Sequence, residues 1–496
     1  MVARRFLSGR PLYKTILAFA LLGVAEIAIF FNSPRHFFVS DTLWLMGYRH
    51  RSIGEFLAAF VHVDQAMWYR PLAQRMVETV LFPFAGLNPI PYRVVGFLLF
   101  FSCTIAVFLL VRQVTQSRRV AWLSVLLFAT NATNAFVTFD VCFTPELLFT
   151  LFFIGSAMAY VSFLRSRDRR FLALSAALFV GSLLSKETSV ALPFTLAAIW
   201  FFLPGKKDRW TVRSLLPHFA ILALYLAFAI GYLHIREIQA HQLVERPGHA
   251  GQRGYELVLG KNVFESASGA FGWAFGIPRL SYTEDMIPKR WMLAVLKDIR
   301  ALFIVGAVFV LFTPRRNLML LGLAWFVIVL LPTLPLLDHF LPYYLFAPLV
   351  GFALAGGIAL DWIYVQCSRL APAAGIAVCV AVLGLSGGIQ AAAANRLAER
   401  YNILGQSSRN AGNTLKDVRR IHPTLPKGAL LMIFNEENPF IFGDQAGGML
   451  FQMAYDDPTL ETWYSASGGP SPSNRYEHDK VFAFRLTNGH LLEIAP

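Results

Sequence analysis

A chain poor in charge nevertheless places ionisable groups at the ends of its apolar runs: Asp41, Arg70, Asp140, Glu146, Lys186, Glu187, Asp338 and His339. Such groups cost roughly 2.5 to 3.5 kcal/mol each at membrane depth, so their recurrence needs a reason. Carboxylates can accept a proton from an attacking hydroxyl, and cations can balance negative charge that develops on a leaving group. Gathered at a water–lipid boundary, the mixture suits a reaction between a lipid-borne anion and a polar acceptor. Asp140 and Glu146 could also share a divalent cation with Asp41, although no spacing demands a metal and none is required. Cys103, Cys142, Cys367 and Cys379 lie far apart and imply neither a zinc site nor a disulfide framework.

Composition says which elements must position these groups. Of 496 residues, 56% are hydrophobic and 15% charged, against roughly 25% charged in a soluble chain. A water-soluble globule, a disordered chain, a coiled coil and a disulfide-stapled module are excluded. A membrane span needs about 20 apolar residues, and about eleven such runs are expected here: 12–31, 92–111, 120–139, 145–164, 171–184, 188–203, 215–233, 301–312, 318–337, 342–360 and 371–389. Those starting at Phe171 and Ala301 are short. The first run lacks a following Ala-x-Ala site and reads as a retained signal anchor.

Charge sets the expected orientation. Arg4/Arg5/Arg10/Lys14, Arg112/Arg118/Arg119, Arg165/Arg167/Arg169/Arg170, Lys206/Lys207/Arg209/Arg213, Arg315/Arg316 and Arg369 all fall on one side when the spans alternate, which makes that side, and the N-terminus, cytoplasmic. The formal net charge of +14 is thereby assigned to loops beside anionic lipid rather than to a nucleic-acid partner. The expected organisation is a multi-span region over residues 1–390, with outer loops 32–91 and 234–298, and an extracytoplasmic α/β domain over 391–496. In the first outer loop, Ile53 to Val63 and Leu72 to Leu87 read as helices lying in the interface plane. Thr42 to Tyr48 looks helical, with Ser40-Asp41 as its cap. In the tail, 395–420 reads as a polar helix, 429–434 as a strand, and 481–486 with 490–494 as a hairpin turned at Thr487-Asn488-Gly489. No internal repeat is visible.

Phe38-Val39-Ser40-Asp41, Trp68-Tyr69-Arg70-Pro71-Leu72 followed by Gly86-Leu87-Asn88-Pro89, Ser185-Lys186-Glu187-Thr188 with Pro193, and Pro342-Tyr343-Tyr344-Leu345-Phe346-Ala347-Pro348 with Gly351 together resemble the GT-C glycosyltransferases. Within them the chain is most similar to the protein O-mannosyltransferases, including the transmembrane and tetratricopeptide-repeat type, without the repeats. The resemblance covers roughly residues 10 to 390. It implies an all-helical polytopic fold, a polyprenyl-phosphate-linked sugar as donor, inverting transfer on the outer face, and an Asp in the first outer loop as base. Asp41 stands at that position.

On that reading Asp41 takes the acceptor proton, the alternative being a helix cap. Arg70 and Lys186, with His339 as a third cation, clamp the donor phosphate. For Arg70 the alternative is a headgroup contact or loop salt bridge, and for Lys186 snorkelling, paired with Glu187. Asp140, Glu146 and Glu187 are the acceptor-side or auxiliary acids. Trp44, Trp68 and Tyr69 stack on a sugar or join an interfacial belt, and Glu26 satisfies a neighbouring helix. Expected partners are the polyprenyl-phosphate sugar, a protein or cell-envelope glycan acceptor, and membrane lipids. The expected setting is a bacterial inner membrane with the C-terminal domain periplasmic. Two rival classes remain: a transporter or lipid flippase, which predicts polar groups buried in mid-span on several helices, and a non-catalytic envelope assembly protein.

Overall fold

Asn88 opens one of the long spans: its side chain accepts from the Ile90 amide, Pro89 occupies the first turn where no donor is missed, and Gln116 closes the helix in the left-handed region at φ 56°. Ser117 then caps the next helix through the Val120 amide, and Asp168 and Asp208 do the same further on. The computed structural model describes residues 12–30, 37–38, 40–47, 52–60, 69–73, 76–139, 141–205, 207–243, 257–275, 306, 308–310, 312–336, 340–400, 406–434, 448–465 and 477–494.

In chain order the helices are α1 (Leu12–Ile29), α2 (Ser40–Gly47), α3 (Ile53–Ala58), α4 (Met76–Ala85), α5 (Pro89–Thr115), α6 (Arg118–Ala129), α7 (Asn134–Phe139), α8 (Thr144–Ser166), α9 (Arg169–Leu183), α10 (Leu192–Phe202), α11 (Arg209–Arg213), α12 (Leu216–Leu243), α13 (Lys261–Ala274), α14 (Arg316–Leu330), α15 (Pro348–Leu370), α16 (Pro372–Arg400), α17 (Gln406–Ile421) and α18 (Met449–Tyr455). Short 3-10 turns at Val141–Phe143, Glu187–Ala191 and Pro342–Leu345 lead into α8, α10 and α15.

The chain is a polytopic helical membrane protein. Among the described residues, 6 helical segments are long and apolar enough to cross a bilayer: 89–115, 141–166, 209–231, 316–333, 348–370 and 372–395. The run expected at 120–139 is broken, because Asn131 and Asn134 turn the chain between α6 and α7. The Asn134 amide donates to the Phe128 carbonyl at 2.7 Å, and the Ala132 amide donates to Gln390 at 2.8 Å. The runs at 171–184 and 188–203 form shorter helices, α9 and α10.

Small residues let the helices close on one another. A Cβ on Gly351 would stand 2.3 Å from the Gly322 carbonyl oxygen, and one on Gly357 2.0 Å from Ser124 Oγ. Helices α14 and α6 therefore press directly against α15. The Trp325 indole donates to the Ala347 carbonyl at 3.1 Å, which fixes the start of α15 and the Pro342–Leu345 turn before it. Glu26 is buried and accepts from Thr104 Oγ1 at 2.6 Å, the helix-to-helix use expected of it. Described members of the basic clusters meet at one end of the bundle. Arg119 and Arg315 share Asp361, the latter at 2.6 Å, while Arg118 reaches Thr15 at 3.0 Å and Arg167 reaches Asp208 at 3.5 Å. Glu146, near the start of α8, is separated from Arg165 near its end by about 30 Å of helix rise.

The C-terminal sheet runs β2-β1-β3-β4, from β1 (Leu430–Phe434), β2 (Glu461–Tyr464), β3 (Val481–Thr487) and β4 (His490–Ile494). Strand β1 is parallel to β2 and β3, and β3 and β4 form the expected hairpin, with Asn488 and Gly489 both at positive φ. Of the polar helix expected over 395–420, α16 covers the part to Arg400 and α17 the part from Gln406, and residues 401–405 lie outside the described residues. One expectation is corrected. The helix expected from Thr42 starts at Ser40, so Asp41 lies in the first turn rather than ahead of it as a cap. Within the two stretches expected to lie in the interface plane, α3 and α4 leave Ile53, Leu57, Val80 and Phe84 exposed.

Candidate active site

Arg70 owes its position to the proline that follows it. Pro71 biases residue 70 toward extended backbone, Pro71 is itself buried, and the Leu72 amide donates to the Leu184 carbonyl at 3.2 Å. The first outer loop is thereby laid against the turn between α9 and α10, where the α9 helix ends and Lys186 and Glu187 begin the 3-10 turn.

Two ion pairs form there. Arg70 grips Glu187 bidentately, Nε to Oε2 at 2.8 Å and Nη2 to Oε1 at 2.5 Å. Lys186 Nζ donates to Glu146 Oε1 on the first turn of α8. The pairs differ in solvation. The Lys186 and Glu146 side chains are 1% and 3% exposed, whereas Glu187 is 48% exposed beside a largely covered Arg70. They also feel one another, since Glu146 and Tyr344 act on Arg70 and both Arg70 and Glu187 act on Lys186.

Burial works to raise the Glu187 carboxyl, but the Arg70 guanidinium outweighs it and holds the pKa at about 2. For Lys186, burial is the larger influence and lowers the ammonium below its ordinary range, with Glu146 pulling the other way. A group whose folded pKa is depressed, like Glu187, gives its stabilisation above the unfolded value of 4.5 and loses it as pH falls toward about 2. Glu187→Gln is therefore expected to flatten any acid-side loss of activity or stability in that window. Thermal unfolding in detergent from pH 6 to pH 3 checks it, and an unchanged acid limb counts against the pair.

Aromatic rings close around Lys186. Its Nζ lies 4.7 Å from the Tyr344 ring centroid, 5.1 Å from Tyr343 and 5.9 Å from Phe149. The roles of Tyr343 and Tyr344 were not assigned from sequence, although two adjacent tyrosines just beyond Asp338-His339 are a visible signal. Phe143 packs on Tyr343 at 4.5 Å, and the Val141–Phe143 turn that carries it packs in turn on α2, the helix of Asp41. Tyr69 is occupied by the protein: its hydroxyl donates to the Phe60 carbonyl at 2.9 Å and its ring packs on Phe228 at 4.6 Å.

The structure therefore brings Arg70, Glu146, Lys186 and Glu187 into one cluster. Lys186 and Glu146, expected to face phosphate and acceptor separately, are paired with each other behind the solvent-facing pair. Asp140, Asp338, His339 and Trp68 lie outside the described residues, as do the side chains of Asp41 and Trp44. Among the described residues no group of three or more His, Cys, Asp and Glu side chains gathers as a metal site.

An apolar groove of about 700 Å³ starts three residues past Glu187. It runs along α10 from Val190 and Ala191, with Leu331 and Pro332 opposite, past Phe194 to Val212 and Leu215 at the basic end of the bundle. A guanidinium fork and a separate apolar groove have between them the chemistry to receive a phosphate and a hydrocarbon tail. Arg70→Lys keeps the charge and removes the fork, so kcat/KM for such a substrate is expected to fall about 10- to 100-fold, roughly 1.4 to 2.7 kcal/mol. Steady-state kinetics checks this, and an unchanged kcat/KM excludes Arg70 from phosphate binding.

The fold is shared with several solved structures, and one stretch of the sequence matches a family model. Residues 70–233 match the family described as dolichyl-phosphate-mannose-protein mannosyltransferase. Solved structures share the fold. ArnT from Cupriavidus metallidurans, bound to undecaprenyl phosphate, is 14% identical, with 96% of this chain and 93% of that chain covered at a TM-score of 0.52. The Archaeoglobus fulgidus oligosaccharyltransferase in its apo form is 13% identical, with 90% of this chain covered and a TM-score of 0.51. This chain spans just under two thirds, 64%, of that protein's length. The archaeal oligosaccharyltransferase AglB, in complex with an inhibitory peptide and a dolichol-phosphate, is 13% identical, with 95% of this chain and 69% of that chain covered at a TM-score of 0.50. No curated protein matches the chain in sequence.

Proposed function

We propose that this protein is an inverting glycosyltransferase that moves a sugar from a polyprenyl-phosphate donor to a hydroxyl of a protein or cell-envelope glycan, on the outer face of a bacterial inner membrane. The observation that carries the reading is the bidentate Arg70–Glu187 pair, beside an apolar groove whose lining begins at Val190, three residues past Glu187. The donor's prenyl chain lies along α10, and its phosphate exchanges with the half-exposed Glu187 carboxylate for the two donors of Arg70. The guanidinium then faces the oxygen that gains charge as the glycosidic bond breaks. Lys186 holds positive potential behind Arg70, and its aromatic and carboxylate surroundings fix it without a reach into solvent. Asp41, on α2, accepts the proton of the attacking hydroxyl. Asp140 and His339 belong to the same proposed site, on the acceptor and phosphate sides respectively, and a divalent cation is not required by any of these steps.

The direct test is purified protein in detergent with a labelled polyprenyl-phosphate hexose. Protein-dependent release or transfer of the label supports the reading, and no turnover across a panel of such donors overturns it. The tail assignment has its own check. Ala197 lines the groove, and Ala197→Trp is expected to raise KM for a long-chain donor about tenfold while leaving a short-chain analogue within twofold, because only the long chain needs the filled volume. Equal effects on both chain lengths place the tail elsewhere.

A further inference from the structure

The helix that carries Asp41 does not stand on the membrane bundle alone. Four residues upstream of Asp41, the Phe37 amide donates to Ser408 Oγ at 2.5 Å, and the same hydroxyl donates to the Phe37 carbonyl at 3.2 Å, so a side chain of α17 holds both polar groups of that residue. The adjacent ring, Phe38, is fully buried and meets Tyr92 of α5 edge-on at 5.2 Å. At the far end of α2, a Cβ on Gly47 would fall 1.9 Å from Met449 Sδ of α18, so only a glycine admits that contact as it stands. Between these points Leu43 and Met46 are buried in one apolar cluster with Leu415 of α17, Leu450 and Phe451 of α18, and Ile433 of β1. Val141, which follows Asp140 in sequence, belongs to the same cluster.

Helix α2 is too short to be stable by itself, since helices below about 12 residues are marginal without packing. Its packing comes from α4, from the Val141–Phe143 turn and from the C-terminal α/β unit. We propose that the C-terminal unit is a positioning element for the reaction: Ser408 and Met449 fix both ends of the α2 helix, and so the place of Asp41, without touching substrate. The inference rests on the reading of Asp41 as the base. It gives the tail a task that composition and topology leave open.

The test uses the full-length protein and the variants Ser408→Ala and Met449→Ala, with Ser408→Thr and Met449→Leu as controls that keep the hydroxyl and the volume. Hydrogen exchange is followed in residues 40–47 and, for comparison, in 316–330, and kcat is expressed per mole of bound labelled donor so that unfolded protein does not enter. Expected are amide exchange at least tenfold faster in 40–47 alone, kcat at least tenfold lower, donor KM within twofold, and recovery in both controls. Unchanged exchange in 40–47 overturns the anchoring, and faster exchange with kcat within twofold of wild type overturns the positioning role. If wild-type protein turns over no donor, the glycosyltransferase reading fails by itself, and the exchange result alone decides whether the tail anchors α2.

Discussion

Asp41→Asn is expected to lower transfer by roughly 10²- to 10⁴-fold in kcat, the range lost when a positioned general base is removed. The amide keeps the size of the carboxylate and its ability to accept a hydrogen bond, but it cannot take a proton near neutral pH. Asp41 lies in the first turn of α2, where a carboxylate also favours the helix electrostatically by about 0.3 to 1 kcal/mol. The fold should survive so small a loss, and donor binding should be retained because Arg70 is untouched. Turnover per mole of bound donor, with thermal unfolding measured in parallel, separates the two contributions. A variant that binds donor and turns over at the wild-type rate removes Asp41 from the chemistry.

Lys186→Met is expected to have the largest effect on stability. The ammonium and Glu146 are almost completely enclosed, so deleting one partner strands the other charge in a poorly polarisable interior. Loss of one member of such a pair costs about 3 to 5 kcal/mol. Glu146→Gln should be milder than Lys186→Met, because a neutral amide can still accept from the ammonium. Lys186→Met combined with Glu146→Leu should recover much of the loss, since no charge is left unpaired. Thermal unfolding of the three variants in detergent gives the ranking. If Lys186→Met unfolds at the wild-type temperature yet fails to turn over donor, the ammonium serves the phosphate directly rather than through its buried pair.

The two predictions differ in kind because the residues were legible to different depths. Sequence singled out Lys186 as a cation at the end of an apolar run, and adjacency suggested Glu187 as its partner. The structure instead joins Lys186 to Glu146, forty residues away, and gives Glu187 to Arg70. In the 3-10 turn that begins at Glu187, neighbouring side chains point in different directions, so one turns into the bundle toward α8 and the next toward the first outer loop. Helix α13 was missed as well. It carries buried Ala270, Trp273 and Ala274 on one side with Phe264 exposed, a helical spacing masked by its polar surroundings in a long loop. Strand β2 was missed because its four residues gain their pairing only from β1, some thirty residues upstream.

What the sequence determined alone is what is written locally: the apolar runs, the basic clusters that share one end, the Asn488-Gly489 hairpin and the ionisable residues beyond the span ends. Hydropathy and turn chemistry act over a few residues, so they can be read in order along the chain. What only the tertiary structure decided is who meets whom. The Gly322–Gly351 and Ser124–Gly357 approaches set the spacing of α14, α6 and α15, the packing of α9 on α8 brings Lys186 to Glu146, the first outer loop brings Arg70 to Glu187, and the tail packs against the helix of Asp41. Ion pairing and close packing depend on separation in space, and folding makes neighbours of groups that the chain keeps tens or hundreds of residues apart.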